Sequence, residues 1–191
     1  MLKIAIIVGS TRPNRKGEAV GRWVHEIAAK RSDAEFELVD VGDYDLPLLD
    51  EPQPPSLGNY ARPHTNNWAQ KIRSFDGFVF VTAEYNHSVP AALKNAIDFV
   101  YQEWNNKAAG FVSYGAAGGV RAVEHLRLAL AEVQVADVAN QVPLLLAADF
   151  ENYSTFAPRP MQQDMLTAML DQLIAWSGAL LPLRDGDHSR P

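Results

Sequence analysis

The chain has 191 residues, 47% of them hydrophobic and 21% charged, with a formal net charge of −6. A chain of this length buries roughly 70% of the surface its unfolded form exposes, so one domain is expected, and collagenous or wholly disordered readings drop out. The lack of cysteine excludes disulfide frameworks, thiolate metal sites and cysteine nucleophiles, while the acidic balance argues against a general nucleic-acid or membrane-surface binder.

Leu2 to Val8 is nearly continuous and β-branched, as in a strand buried on both faces. It is too short to span a membrane and meets Gly9-Ser10-Thr11-Arg12 instead of a small-residue cleavage site, so it reads as a first strand in a cytoplasmic protein. From Glu18 to about Lys30, the residues Val20, Trp23, Val24, Ile27 and Ala28 recur at helical spacing. Phe36 to Val39 is a short second strand. Val41 to about Thr65 holds Pro47, Pro52, Pro54, Pro55 and Pro63 and is expected to be a lid, an interface arm or disordered. A short helix from Trp68 to Phe75 follows, then Gly77 opens a buried strand, Phe78 to Thr82. Pro90 suits the first turn of a helix to about Tyr101. Ala108 to Ser113 is the fourth strand, and Gly118-Gly119 precedes a helix bearing Val123, Leu126, Leu130 and Val133. A fifth strand lies within Val135 to Leu146, and Met165 to Ile174 marks a last amphipathic helix.

The pattern is βαβαβαβαβα. It predicts one α/β domain over residues 1–183 with a polar tail at 184–191: a flavodoxin-like three-layer sandwich. Five parallel strands joined by right-handed crossovers favour the order 2-1-3-4-5, with helices on both faces.

In such sheets ligands bind beyond the carboxyl ends of the strands, near the switch in strand order. Three loops fall there. Gly9 to Gly17 carries Arg12, Arg15 and Lys16 into a helix N-terminus, which suits an anion; a solvated surface loop is the alternative. It is neither G-x-x-x-x-G-K-[ST] nor G-x-G-x-x-G. Thr82-Ala83-Glu84-Tyr85-Asn86-His87-Ser88 is rich in polar and planar groups that suit a heteroaromatic ring, or that simply cap the next helix, with Glu84 a solvated carboxylate. Ser113-Tyr114-Gly115-Ala116-Ala117-Gly118-Gly119 has glycines where backbone approaches something closely, or is a plain strand-to-helix turn. Other constellations fail on spacing. His25-Glu26 lacks the second histidine of H-E-x-x-H, and Gly110, Ser113 and Gly115 do not make G-x-S-x-G. His125 reads as structural, the Met161/Met165/Met169 stripe as core, and Trp104 as half-buried or at an interface.

Three segments carry a resemblance over about residues 2 to 180: Gly9 to Arg12, Glu84 to Asp98 (Glu-Tyr-Asn-His-Ser-Val-Pro-Ala-Ala-Leu-Lys-Asn-Ala-Ile-Asp), and Ser113 to Gly119. Together they resemble the NADPH-dependent FMN reductases of flavodoxin-like fold, which include quinone, azo-dye and chromate reductases. The resemblance implies FMN, with NADPH or NADH as reductant, and a small acceptor reduced in a ping-pong cycle. It implies FMN phosphate on Ser10 and Arg12 and on donors within Arg15, Lys16, Gly17 and Glu18. The ring would lie against Thr82, Ala83, Glu84, Tyr85, Asn86 and His87, and against Ser113, Tyr114, Gly115 and Gly118. Flavin N5 would carry the hydride, so no side chain is singled out as catalytic and no metal is expected. Lys94-Asn95 would serve helix and dimer structure. The family also implies a homodimer or homotetramer, with Phe99, Tyr101 and Trp104 as interface aromatics and the Pro-rich arm reaching to a partner. His87 and Ala83 depart from the family's common glycine and proline, and Arg15 from a common serine. An FMN electron carrier and a non-catalytic phospholigand module are the rival readings.

Overall fold

The computed structural model describes residues 1–185. Strands β1 (Leu2–Val8), β2 (Ala34–Asp40), β3 (Gly77–Ala83), β4 (Lys107–Gly115) and β5 (Val135–Leu145) form one parallel sheet in the order β2-β1-β3-β4-β5. The crossovers carry helices α1 (Gly17–Ala28), α2 (Pro63–Arg73), α3 (Ala91–Asp98) and α4 (Val120–Glu132), and α5 (Pro160–Asp185) closes the chain. Alternation along the strands sorts them onto two faces. Ala5, Ile7, Phe78, Phe80 and Phe111 pack with Trp68, Leu93 and Val123 of α2, α3 and α4, whereas Ile4, Ile6, Val79, Val81 and Val112 pack with α1 and α5. Both β3 and β4 are buried along their whole length, which is why Phe78 to Val81 of β3 reads as a continuous apolar run.

α5 is long and apolar enough to cross a membrane by length and composition. Its Leu166, Met169, Leu170 and Leu173 are nevertheless buried in the core, and a Cβ on Gly110 of β4 would overlap Met169 Sδ. The helix therefore lies directly on the sheet. It runs through Arg184, which pairs with Asp76 at 2.8 Å, so that end of the expected tail is helical; residues 186–191 lie outside the described ones.

Other expectations need correction. The Pro-rich segment holds two short 3-10 turns (Val41–Tyr44 and Pro55–Leu57) and folds onto its own chain. Asn95 donates from Nδ2 to the Pro47 carbonyl at 2.6 Å and accepts from the Leu49 N–H at 2.9 Å, so it clamps the arm to α3. α2 begins at Pro63, ahead of the expected start, because proline suits a first helical turn. α3 ends at Asp98. Phe99 and Trp104 are not interface aromatics: both are fully buried, and the Trp104 indole donates to the Ile97 carbonyl at 3.1 Å. Tyr101 is half-buried and donates to the Glu132 carbonyl. A small antiparallel hairpin, β6 (Phe150–Glu151) with β7 (Thr155–Phe156), had no signal in the periodicity. Met161 is exposed, so the methionine stripe is core only in part.

Candidate active site

The order of the sheet sets β1, β3 and β4 side by side. Their carboxyl ends, and that of β5 beside β4, are joined by main-chain hydrogen bonds: Gly9 N–H to Val81 O at 3.0 Å, Glu84 N–H to Tyr114 O at 3.1 Å, and Leu146 N–H to Gly115 O at 3.1 Å. Above them lies an open cleft of about 250 Å³, lined by Arg12, Pro13, Asn14, Arg15, Lys16, Ala83, Glu84, Tyr85, Tyr114, Gly115 and Leu146. All three loops singled out in the sequence thus meet at one place.

The first loop turns through Asn14, whose φ is 57°, and enters α1 without a side-chain cap, leaving first-turn N–H groups for an anion. Its cations divide. Arg15 is bound to Asp40 at 2.6 Å and to Glu18 at 3.1 Å, so it secures the loop to the end of β2. The Asp40 carboxylate raises its already high pKa despite the cost of burial. Glu18 is occupied by Arg15 and faces Arg22 at 3.9 Å. Arg12 and Lys16 make no ion pair among the described residues.

Ser10 lies buried beneath the loop, its hydroxyl 2.8 Å from Tyr85 Oη. Tyr114 Oη is also buried and has no hydrogen-bond partner of good geometry among the described residues. Burial pushes the phenol upward in pKa, keeping it a proton donor. Gly17 is where α1 crosses this tyrosine: a Cβ there would stand 2.9 Å from Tyr114 Oη. Ser10 and the Gly17 backbone stand beside this hydroxyl but make no hydrogen bond of good geometry with it among the described residues, so it is placed to donate to an added oxygen acceptor.

Glu84 is not the solvated carboxylate of the sequence alternative. Its side chain is buried, pairs with Arg121 and accepts from the Arg121 N–H at 3.1 Å, so it caps α4 from outside. Burial raises its pKa, but the Arg121 guanidinium and the main-chain N–H groups of Ala122 and Arg121 reverse this and hold the carboxyl below the usual range. Thr82, Ser113 and Gly118 lie under the cleft, not on it. Thr82 Oγ1 donates to the Ala83 carbonyl and Ser113 Oγ to the Gly118 carbonyl at 2.7 Å. Asn86 and His87 are exposed at the tip of the second loop. Gly119, at φ 72°, packs against Ser113 and Tyr114 where a Cβ would come within 2.8 Å.

Sequence reasoning missed Leu146 and the group that sets it in place. Asp149 is wholly buried; it accepts from the Leu145 N–H at 2.8 Å and from Arg159 N–H and Nε at 3.2 and 2.9 Å. Burial alone would raise its pKa, yet Arg159 and the main-chain N–H groups lower it. The partners are ten residues apart across an irregular hairpin, beyond the reach of any periodicity.

Residues 2–149 match the family described as NADPH-dependent FMN reductase. The chain belongs to that family. The family is one of oxidoreductases that use NAD(P)H with FMN as flavin. An NAD(P)H-dependent FMN reductase of Schizosaccharomyces pombe is 44% identical over 119 residues, 61% of this chain and 60% of the yeast protein. Another, from Nectria sp, is 37% identical over 161 residues, 81% of this chain and 80% of its own length. A quinone reductase of Pseudomonas putida is 36% identical over 135 residues, covering 66% of this chain and 68% of the relative. Among solved structures, the flavoenzyme NAD(P)H:(acceptor) oxidoreductase FerB from Paracoccus denitrificans superposes with a TM-score of 0.72 at 22% identity, over 94% of this chain and 98% of its own. It shares the fold of this FMN reductase-family protein.

Proposed function

We propose that this FMN reductase-family protein binds FMN in the cleft and passes reducing equivalents from NAD(P)H to a small acceptor such as a quinone, free flavin, azo compound or metal oxyanion. The buried Tyr114 hydroxyl, without a hydrogen-bond partner of good geometry among the described residues and beside a loop whose Arg12 and Lys16 make no ion pair among them, is the observation that carries the reading. The residues fit the group. Arg12, Lys16 and the first-turn N–H groups of α1 would hold the phosphate, with the Tyr114 and Tyr85 hydroxyls beneath it. Along the second loop, Glu84, Tyr85 and Ser88 spend their N–H groups on Tyr114, Ser88 and Tyr85. The N–H groups of Asn86 and His87 have no acceptor among the described residues and would meet the edge of the ring. Bound FMN supplies the hydride chemistry, so the protein's task is binding, orientation and electrostatics. The cleft is open, and reductant and acceptor would use it in turn, a ping-pong order. A homodimer or homotetramer in the cytoplasm belongs to the same proposal; Leu48 on the arm and Leu128 on α4 are exposed apolar residues available to a second copy.

The test is an anaerobic visible spectrum of protein loaded with FMN, before and after NADPH, followed by turnover with a quinone. Bleaching by NADPH and parallel double-reciprocal plots are expected. Yellow protein that neither NADPH nor NADH bleaches is an electron carrier, and protein that refuses FMN is a phospholigand module; either result overturns the proposal.

A further inference from the structure

The loop after β3 folds back on itself. Tyr85 and Ser88 exchange main-chain hydrogen bonds at 3.0 and 3.1 Å, which leaves Asn86 and His87 at the tip with φ of 49° and 73°. A two-residue turn with both centres left-handed favours Asn-Gly; histidine in the second place carries backbone strain. The strain is not offset by burial, because His87 is exposed and its ring makes no hydrogen bond among the described residues.

The turn does give His87 a neighbour. Its ring centre lies 6.0 Å from that of His125 on α4, with the planes tilted by 45°. Ser88 Oγ holds His125 Nδ1 at 2.9 Å, so one imidazole is fixed by a hydroxyl and the other by the turn. The Glu84–Arg121 pair ties the same loop to the start of α4. Two exposed imidazoles therefore stand as one unit just beyond Tyr85, which lines the cleft. Glu84 and Arg121 are spent on each other, Glu124 adjoins His125 in sequence, and Lys94 of α3 is paired with Asp98.

Reduction of a quinone consumes a hydride and a proton: NAD(P)H + H⁺ + quinone gives NAD(P)⁺ + hydroquinone. The nicotinamide supplies the electron pair, and the oxygen left negative on the acceptor needs the proton. We propose that His87 and His125 hold that oxygen and deliver the proton, which selects carbonyl-type two-electron acceptors. A ring N–H breaks as the acceptor O–H forms, and solvent returns the proton to the ring. Ser88 is the positioning residue. The assignment rests on the function proposed above.

The test compares kcat/KM for 1,4-benzoquinone with that for ferricyanide, which takes an electron and no proton, in wild type, His87→Gly and His125→Gln, each loaded with FMN. The quinone-to-ferricyanide ratio falls about tenfold or more in each variant, less than the roughly hundredfold or more of a sole general acid because two rings share the task. His87→Gly also melts higher than wild type, since glycine fits the turn; a merely structural histidine would not combine a gain in stability with a loss of selectivity. A readout free of turnover uses oxidised protein without nicotinamide: the imidazole C–H NMR signals of both histidines shift on adding 1,4-naphthoquinone. A ratio within about threefold of wild type in both variants, or unmoved signals, overturns the assignment while leaving the reductase reading intact. Protein that cannot take up FMN, or cannot oxidise either NADPH or NADH with ferricyanide, overturns both.

Discussion

Replacing Asp149 by alanine probes the anchor that sets Leu146 at the cleft. The carboxylate is fully buried and accepts from the Leu145 N–H, the Arg159 N–H, and Arg159 Nε and Nη2. Its loss strands two main-chain N–H groups, each worth about 1–2 kcal/mol when buried without an acceptor. The Arg159 side chain is 40% exposed and returns to water, so it adds little. The expected destabilisation is about 2–4 kcal/mol, which for a chain of this size lowers Tm by roughly 5–15 °C. Thermal melts followed by circular dichroism at neutral pH measure it. The pH dependence checks the cause. A carboxyl held below its ordinary value stabilises the fold fully above that value, and the contribution is lost as pH falls through the lowered one. The Tm gap between wild type and Asp149→Ala should therefore stay constant from neutral pH to about 5 and close only below about 4. A gap smaller than about 2 °C at neutral pH, or one already closing above pH 5, would refute the reasoning.

Four further substitutions have defined outcomes. Tyr114→Phe removes an unsatisfied buried hydroxyl, so Tm holds or rises while FMN affinity, read by fluorescence quenching, drops about five- to tenfold, the value of one hydrogen bond; unchanged affinity would sever the tyrosine from the ligand. Arg12→Ala should weaken FMN about tenfold and flatten the salt dependence of binding, whereas Arg15→Ala should act mainly on Tm, because Asp40 and Glu18 hold that guanidinium. Lys107 is buried, with Nζ donating to the Ile72 carbonyl at 2.8 Å at the end of α2, and burial lowers its pKa to about 7. A lysine depressed in the fold binds fewer protons than in the unfolded chain, so stability rises between pH about 7 and about 10.5. Urea melts of Lys107→Met over this range should show a flatter rise, and identical slopes would contradict it.

Strand order and the meeting of three loops were legible because buried parallel strands write themselves as continuous apolar runs, as Phe78 to Thr82 does. Side-chain partnerships were not. Arg12, Arg15 and Lys16 look alike in the sequence, and only the fold shows Asp40, at the end of β2, claiming the middle one. Glu84 resembled a surface carboxylate because its partner Arg121 is 37 residues away. Trp104 and Phe99 follow α3 in an irregular stretch where no period marks burial. The proline-rich arm read as a lid, an interface arm or disordered because proline density signals the absence of regular structure, while its attachment rests on partners distant in sequence: Asn95, which holds Pro47 and Leu49, and Glu103, which accepts from Tyr60.

The floor of the cleft is stitched by peptide groups: Gly9 to Val81, Glu84 to Tyr114, Leu146 to Gly115. Such seams are indifferent to side-chain identity but not to chain length. Substitutions along these crossovers can retune which molecules the mouth admits while the cradle stays whole. Adding or deleting one residue between Val8 and Gly9, or between Ala83 and Glu84, would throw donor and acceptor out of step and dismantle it.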